Sequence, residues 1–297
     1  MTTQTGSSAT IVLAKPQKSA IDAAIDYLTQ ELNIQKIEIL SDNRAVDFII
    51  DTNAPKGLQN EITAWLLNNG MAADICVSSL NNRRKSLLIC DMDSTLIGQE
   101  CIDELADFAG VKDRVSAITE RAMRGEIDFD GALTERVSLL KDLNISVLQK
   151  CFDERISLNE GARTLCQTMK ASGAKTVIVS GGFTFFTERV AERCGFDAHQ
   201  ANILQTDGDR LSGEVGMPIL GRLAKFEALN AHSKDKPLSA IAIGDGANDL
   251  AMITAAGIGI AYYAKPAVAA SADCAINHTD LTSALYFQGY NDAEFIK

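Results

Sequence analysis

The sequence predicts an α/β protein with a Rossmann-like parallel sheet core, an inserted helical cap and an N-terminal ferredoxin-like α+β module. Short apolar runs at 86–90, 176–180 and 240–244 are typical of strands that are buried on both faces. Helical patterns alternate with these runs, as they do where crossover helices join parallel strands. The first 80 residues instead show the order β-α-β-β-α-β, which is the ferredoxin-like order.

The composition indicates a globular protein, because 46% of the 297 residues are apolar and 23% are charged. A net charge of −11 argues against binding to nucleic acid or to an anionic membrane, since both would be repelled. No apolar run approaches the roughly 20 residues of a membrane span, and the first ten residues lack a signal-peptide pattern. The seven cysteines are scattered and form no CxxC motif, which favours a reducing compartment. We therefore expect a cytoplasmic protein.

The N-terminal module is predicted over residues 1–82. A strand at 9–14 precedes a helical pattern, and the segments at 36–40 and 45–50 alternate around the turn SDNR like the strands of a hairpin. The module contains no set of catalytic residue types. Two interpretations stay open, namely a regulatory or dimerising module and a packing element without a ligand. If the module is regulatory, removing it should leave the chemistry intact.

A long insertion separates the first two core strands. A crossover between parallel strands needs only one helix. The segment between residue 95 and the strand run at 176–180 is much longer than one helix, so it predicts a domain of its own. Its apolar residues, such as Leu133 and Val137, recur at helical spacing. We therefore assign a helical cap to residues 99–169, and the catalytic core to residues 83–98 and 170–297.

Polar clusters follow all three core strands. The first strand ends in DMDST (91–95), the second in SGGFTFF (180–186) and the third in GDGANDLAM (244–252). Ligands of open α/β sheets bind beyond the carboxyl ends of the strands. We therefore expect the three clusters to converge on one pocket, although each cluster alone has a plain explanation as a surface loop or a turn.

Such a pocket would combine acids with phosphate-binding groups. Its carboxylates would be those of Asp91, Asp93, Asp245 and Asp249. Acids so close together repel one another unless a cation lies between them, and oxygen ligands suit Mg²⁺. Ser180, with the unobstructed N–H groups of Gly181 and Gly182, suits a phosphate oxygen, and Lys225 supplies a positive charge. The set predicts phosphoryl transfer, with a spare aspartate as nucleophile.

These motifs resemble those of the haloacid dehalogenase-like hydrolases. DMDST resembles the nucleophile motif DxDx[TV] of that family, and VIVSGG, Lys225 and GDGANDLAM resemble its second, third and fourth motifs in order. The helical insertion falls where the family places its cap. DMDSTLIGQECIDELADFAG and RAMRGEIDFDGALTERVSLL are most similar to members that act on O-phospho-L-serine. The first 80 residues resemble, more loosely, the ACT-like extensions of some members.

The resemblance implies a reaction through a phosphoaspartate. Asp91 would be the nucleophile, and Asp93 would act as acid and base. Mg²⁺ would be held by the side chain of Asp91, the backbone carbonyl of Asp93, and Asp245. Glu100 would meet the ammonium of phosphoserine and Arg136 its carboxylate. The other substrate-binding residues implied are Ser180, Gly181, Lys225, Asn248, Met123 and Phe129, supported by Asp249 and Gly182.

Several alternatives stay open on the sequence alone. Arg136 could pair with Glu135 or with another nearby acid on its own helix, and Phe129 could be part of the cap core. Glu100 could be an acid that the helix dipole favours at the start of a helix. The substrate could be phosphothreonine or homoserine phosphate instead of phosphoserine. A receiver-like signalling domain is disfavoured, because a stable phosphoaspartate needs no acid or base like Asp93 beside it. An inert hydrolase that only senses a ligand, and the formation of a homodimer, also stay open.

Overall fold

The computed structural model describes residues 6–51, 54–124 and 126–297, apart from the side chain of Met123. Its N-terminal part is one antiparallel sheet in the order β2-β3-β1-β4, with two helices. The elements, in chain order, are β1 Ser7–Leu13, α1 Lys18–Glu31, β2 Ile34–Ser41, β3 Ala45–Ile50, α2 Leu58–Asn68 and β4 Ala73–Ser79. The predicted order β-α-β-β-α-β is therefore confirmed. The likeness to ACT-like extensions stays a prediction.

The C-terminal part begins with β5 (Leu87–Cys90), which a group of helices separates from β6 (Lys175–Phe183). These helices are α3 Cys101–Phe108, α4 Lys112–Met123, α5 Phe129–Ser138, α6 Ser146–Arg155 and α7 Ala162–Ala171. The last of them, α7, leads directly into β6 and packs on it, while α3 to α6 form the cap. A helical insertion at the predicted place is therefore present, whereas the exact domain boundaries stay predictions.

Six parallel strands form the second sheet, in the order β12-β11-β10-β5-β6-β7. A separate hairpin packs near the cap. The elements after β6 are α8 Thr184–Cys194, β7 Ala198–Asn202, β8 Leu204–Asp207, β9 Arg210–Val215, α9 Arg222–Ser233, β10 Ala240–Gly244, α10 Leu250–Ala255, β11 Ile258–Tyr262, α11 Pro266–Ala269, β12 Cys274–Ile276 and α12 Ser283–Tyr286. The predicted α/β class with a parallel core sheet is confirmed.

The N-terminal sheet packs directly against the C-terminal part. Val12, Ala45 and Cys76 belong to the same buried apolar cluster as Ile276 and Tyr286 of the C-terminal part. Helices α1 and α2 cover the other face of the sheet with a second cluster. The two parts therefore share a hydrophobic core, which the sequence pattern did not predict.

Two further sequence expectations concern the whole chain. All seven cysteines are buried and unpaired, which agrees with their interpretation as small apolar residues. Among the residues that the structure describes, no helix is both long enough and apolar enough to cross a membrane.

Candidate active site

The site forms where β10, β5 and β6 end side by side. These strands are neighbours and parallel, so the residues that follow them meet at one edge of the sheet. Asp91 comes after β5, Ser180 lies near the end of β6, and Asp245 comes after β10. The predicted convergence of the three clusters is therefore present in the structure.

Asp91 is held by neighbours on both of its carboxylate oxygens. Its Oδ1 accepts a hydrogen bond from the Met92 N–H at 2.7 Å, and its Oδ2 lies 2.6 Å from Lys225 Nζ. Its own N–H donates to the Ile243 carbonyl at 2.9 Å, which ties it to the adjacent strand. Burial, and then the charge of Asp249, raise the pKa of Asp91 well above its ordinary value.

Lys225 is the buried cation of the site, with 2% of its surface exposed. Its Nζ lies 2.5 Å from Asp249 Oδ1 as well as near Asp91. Burial lowers the pKa of Lys225, but the charges of Asp249 and Asp91 outweigh this effect and raise it above its ordinary value. Lys225 therefore stays protonated at neutral pH and offsets part of the acidic charge.

Three carboxylates meet beside this lysine. Ligand oxygens of Asp91, Asp245 and Asp249 all lie within 4.8 Å of one another. Burial, and then the charge of Asp249, raise the pKa of Asp245 to about 6. Thr95 supports this residue, because its Oγ1 donates to Asp245 Oδ1 at 3.1 Å. Such a group of oxygen ligands can hold a divalent cation, which would relieve their mutual repulsion.

Asp93 contacts both the start of the cap helix α3 and the end of β6. Its Oδ1 accepts a hydrogen bond from the Cys101 N–H at 3.0 Å, and its Oδ2 lies 3.5 Å from Ser180 Oγ. Burial raises the pKa of Asp93, although these hydrogen bonds and the charge of Lys225 oppose the effect. A carboxyl group with a raised pKa can exchange a proton near neutral pH.

In the SGG segment, the absence of side chains on the two glycines allows other side chains to approach the backbone closely. Ser180 Oγ accepts a hydrogen bond from the Gly182 N–H at 2.9 Å, so the backbone turns tightly around the hydroxyl. A Cβ atom on Gly182 would clash with Asp93 Oδ2, and one on Gly181 would lie 3.1 Å from Phe129 Cζ. Glycine is therefore required at Gly182 by close approach, while Phe129 of the cap packs against Gly181.

Arg136 reaches the site from the cap helix α5. Its Nε donates to the Ala132 carbonyl at 3.2 Å, and it forms no ion pair with any residue that the structure describes. Glu135 pairs with Arg121 instead, at 2.9 Å, so the alternative of a salt bridge between Arg136 and Glu135 is wrong. Burial lowers the pKa of Arg136 in spite of nearby acids. Its guanidinium is therefore available to an anionic ligand.

Glu100 lies where α3 begins, and it lines one cavity together with Asp91 and Arg136. It is the N-cap residue of that helix, but its side chain makes no capping hydrogen bond there. Its Oε1 accepts a hydrogen bond from Ser94 Oγ at 2.7 Å. Although the residue is exposed, its carboxyl group faces the cavity, where desolvation and then the charge of Asp93 raise its pKa to about 7.

These side chains surround one cavity of about 310 Å³ between the core and the cap. Lys225 and Asp249 are not part of the lining of this cavity. The side chain of Met123 lies outside the described residues. The lining comprises Asp91, Asp93, Glu100, Ile102, Thr119, Phe129, Leu133, Arg136, Ser180, Gly181, Gly182, Phe183, Asp245, Ala247 and Asn248. The cavity thus brings together acids from the core and an unpaired arginine from the cap.

Two further residues support this site and were not predicted from the sequence. Thr95 belongs to the DMDST motif but was assigned no role, although its hydroxyl contacts Asp245. Asn159 donates from Nδ2 to the Thr95 carbonyl at 2.8 Å. The threonine in DxDx[TV] was a signal that could have indicated the first contact. The second joins residues that are 64 positions apart, so no local pattern reveals it.

Sequence comparison relates the chain to one enzyme family. A family model described as haloacid dehalogenase-like hydrolase matches residues 88–254, which is more than half of the chain. The chain belongs to the haloacid dehalogenase-like hydrolases. A second model with the same description matches residues 224–287. The resemblance that the motifs suggested is therefore confirmed at the level of the family.

Individual proteins show which members of this family the chain is similar to. A phosphoserine phosphatase from Archaeoglobus fulgidus is 45% identical over 203 residues, which are 67% of this chain and 59% of that protein. A phosphoserine phosphatase from Saccharomyces cerevisiae is 36% identical over 286 residues, which are 91% of this chain and 92% of that protein. The crystal structure of a HAD family hydrolase from Salmonella enterica subsp. enterica serovar Typhi superposes with a TM-score of 0.82 at 26% identity, covering 95% of this chain and 98% of that one.

Proposed function

We propose that the chain hydrolyses O-phospho-L-serine to L-serine and phosphate, with Mg²⁺, through a phosphoaspartate on Asp91. One observation carries the choice of substrate: Arg136 and Glu100 face the same cavity as Asp91 and Asp93. An arginine can grip a carboxylate with two parallel hydrogen bonds, and a carboxylate can pair with an ammonium. The two cap residues therefore suit the amino-acid part of the substrate, while the core suits its phosphate. The two phosphoserine phosphatases named above support the same substrate.

The acidic group fits a divalent cation. The carboxylates of Asp91, Asp245 and Asp249 are closely spaced, and Lys225 is the one buried cation among the described residues that lies against them. Asp91, Asp245 and the backbone carbonyl of Asp93 would hold Mg²⁺, while Asn248 and Asp249 would complete its surroundings. The bound ion would supply positive charge to the phosphoryl oxygens and reduce the repulsion between Asp91 and its substrate. All the ligands are oxygens, which favours Mg²⁺ over softer metals.

Asp91 would act as the nucleophile. One oxygen of its carboxylate attacks phosphorus, and the bond between phosphorus and the serine oxygen breaks. The serine oxygen takes its proton from Asp93, so L-serine leaves as a neutral alcohol. Ser180, Gly181 and Lys225 would hold the remaining phosphoryl oxygens as charge spreads over them. Lys225 also fixes the orientation of Asp91 before substrate arrives.

Asp93 would then act in the opposite direction. A water molecule attacks phosphorus of the phosphoaspartate and gives a proton to Asp93, and the bond from phosphorus to Asp91 breaks. Phosphate leaves, and both acids return to their starting states. This double role requires a carboxyl group that exchanges protons near neutral pH, and the raised pKa of Asp93 supports it.

A comparison of substrates tests the proposal. Purified protein with Mg²⁺ should hydrolyse O-phospho-L-serine with a much higher kcat/KM than O-phospho-L-threonine, L-homoserine phosphate or an aryl phosphate. The aryl phosphate serves as control, because it offers a phosphate without carboxylate or ammonium. Equal values for all four substrates would contradict the proposed specificity. A preference for phosphothreonine or homoserine phosphate would replace phosphoserine by that substrate.

We also propose that this reaction is the last step of L-serine biosynthesis and takes place in the cytoplasm. The homodimer suggested for the N-terminal module remains a proposal of the same kind. Light scattering coupled to gel filtration tests it, since a dimer doubles the mass of the 31.9 kDa chain. A single species at the monomer mass across the working concentration range would argue against the dimer.

A further inference from the structure

The loop after the nucleophile, residues 94–99, touches the candidate site at two points. Ser94 Oγ donates to Glu100 at 2.7 Å, and Thr95 Oγ1 donates to Asp245 at 3.1 Å. We call this segment the nucleophile loop. Its position therefore sets the orientation of one expected metal ligand and of one expected substrate ligand.

A cavity of about 560 Å³ borders the outer side of this loop. Ser94 and Gly98 line the cavity, together with Arg44 of the N-terminal module. The middle of the loop is anchored differently, because Leu96 and Ile97 are fully buried in the core. The two ends of the loop thus lack close packing on this side, and polar contacts must hold them in place.

Residues 157–161, which we call the brace, hold the loop through polar contacts, and at its far end the Gly98 N–H donates to the Ser157 carbonyl at 3.4 Å. Asn159 donates from Nδ2 to the Thr95 carbonyl at 2.8 Å and from its backbone N–H to the Leu96 carbonyl at 2.9 Å. Ile97 and Leu158 form an antiparallel bridge beside them. The brace therefore holds the nucleophile loop along most of its length.

The brace in turn rests on residues 280–282. The Leu281 N–H donates to the Glu160 carbonyl at 3.1 Å, and a Cβ atom on Gly161 would crowd Asp280 Oδ1 and the Thr282 nitrogen. Asp280 holds its own turn through a hydrogen bond from the Thr282 N–H at 2.7 Å. The close approach at Gly161 means that a shift of this turn moves the brace.

The N-terminal module binds that turn through charged side chains. Arg44 NH2 lies 2.6 Å from Asp280 Oδ2, and both side chains are largely buried. Nearby, the buried carboxylate of Asp74 accepts hydrogen bonds from the Asn277 N–H and the Thr279 N–H, both at 2.9 Å. A continuous series of contacts therefore runs from Arg44 through Asp280 and the brace to the nucleophile loop.

We propose that Arg44 is a positioning residue of the active site, acting through this series from the N-terminal module. The inference rests on the proposed function for its kinetic part. Removing Arg44 leaves the Asp280 carboxylate buried without its cation, so the turn and the brace must rearrange. Asp245 and Glu100 would lose their fixed orientation, while Asp91 and Lys225 would keep theirs. Metal affinity and substrate affinity should then fall, and the chemical step should not.

The test compares Arg44→Ala with Arg83→Ala, which breaks another ion pair at the same interface. Arg83 binds the fully buried Asp47 at 2.7 Å and the Phe287 carbonyl at 3.0 Å, and neither partner belongs to the 280–282 turn, the brace or the nucleophile loop. Arg44→Ala should raise the Kd for Mn²⁺ by about 3- to 10-fold in calorimetric titration, and KM for phosphoserine by a similar factor. With saturating metal, kcat should stay within about twofold. Arg83→Ala should lower Tm at least as much but leave Kd and KM unchanged.

Arg44→Lys, which keeps the charge, should restore most of the metal affinity. Asp280→Asn tests the same contact from the other side if Arg44→Ala fails to fold. Unchanged metal affinity in Arg44→Ala, or equal losses in both alanine variants, would overturn the inference. If the wild type hydrolyses no phosphoserine, the proposed function fails, but the Mn²⁺ titrations still decide whether Arg44 positions the acidic group.

Discussion

The ammonium of Lys225 lies 2.6 Å from Asp91 Oδ2, and both groups are buried. The second oxygen of Asp91 is held by the Met92 N–H, so the carboxylate is fixed before substrate arrives. Lys225 also holds Asp249 at 2.5 Å, so one lysine serves two acids. This geometry couples the stability of the fold to the orientation of the proposed nucleophile.

Replacing Lys225 with methionine should therefore reduce both stability and activity. Asp91 and Asp249 would remain buried without a cation, which costs about 3–5 kcal/mol of the free energy of unfolding. Lys170→Met is the matched control, because Lys170 pairs with Asp197 at 2.7 Å in an exposed position. Urea unfolding of both variants, without metal, should show a loss of at most about 1 kcal/mol for the control. Equal losses would contradict this account of Lys225.

Arg136 should determine specificity. Arg136→Ala should raise KM for phosphoserine about 10- to 100-fold, because a hydrogen-bonded charge contact is lost. Kinetics with an aryl phosphate, which has no carboxylate, should change little. Arg121→Ala is the control, since it removes only the exposed pair with Glu135. If Arg136→Ala weakened both substrates alike, Arg136 would act on the fold of the cap and not on the substrate carboxylate.

Gly182 should tolerate no side chain. In Gly182→Ala the new methyl group would clash with Asp93 Oδ2, so the proposed acid and base must move. We expect kcat to fall at least about tenfold, because small displacements of reacting groups are costly. Gly173→Ala is the control: its positive φ makes alanine strained, but no atom lies within 4 Å of the added carbon. It should lower Tm and leave kcat unchanged, and a similar drop in kcat would refute the steric explanation.

The acidic group also predicts how stability depends on pH without metal. The pKa of Asp245 rises from 3.8 to about 6 on folding, so the folded state binds its proton more tightly than the unfolded chain does. The contribution of Asp245 to the free energy of unfolding should therefore decrease as pH rises from about 4 to about 6 and then level off. Asp245→Asn should lose less stability over this range, and saturating Mg²⁺ should stabilise the wild type most above pH 6. Parallel stability curves for wild type and variant would contradict the assignment.

Much of this architecture follows from local patterns in the sequence. Strand runs such as 86–90 and 240–244 are apolar because both faces of a parallel sheet are covered, and the residues after them must meet at one edge. Asp91 and Asp245 could therefore be placed together without coordinates. Their roles needed the family resemblance, because paired acids alone are common on protein surfaces.

Contacts between distant segments could not be predicted in this way. Arg44 and Asp280 are 236 positions apart, and nothing near either residue in the sequence indicates the other. The same holds for Asp74, because nothing in the sequence around this strand residue indicates that its carboxylate binds the N–H of Thr279. For this reason, only the structure shows which face of the N-terminal sheet packs against the core.

The central claim is that Asp91 is the nucleophile of a Mg²⁺-dependent phosphoserine phosphatase. Its most direct test is phosphate release from O-phospho-L-serine by the wild type and by Asp91→Asn, with circular dichroism to verify that both are folded. The account predicts Mg²⁺-dependent release of equal amounts of phosphate and L-serine by the wild type, and a loss of at least about 1,000-fold in Asp91→Asn. A folded Asp91→Asn variant with turnover near that of the wild type would contradict it.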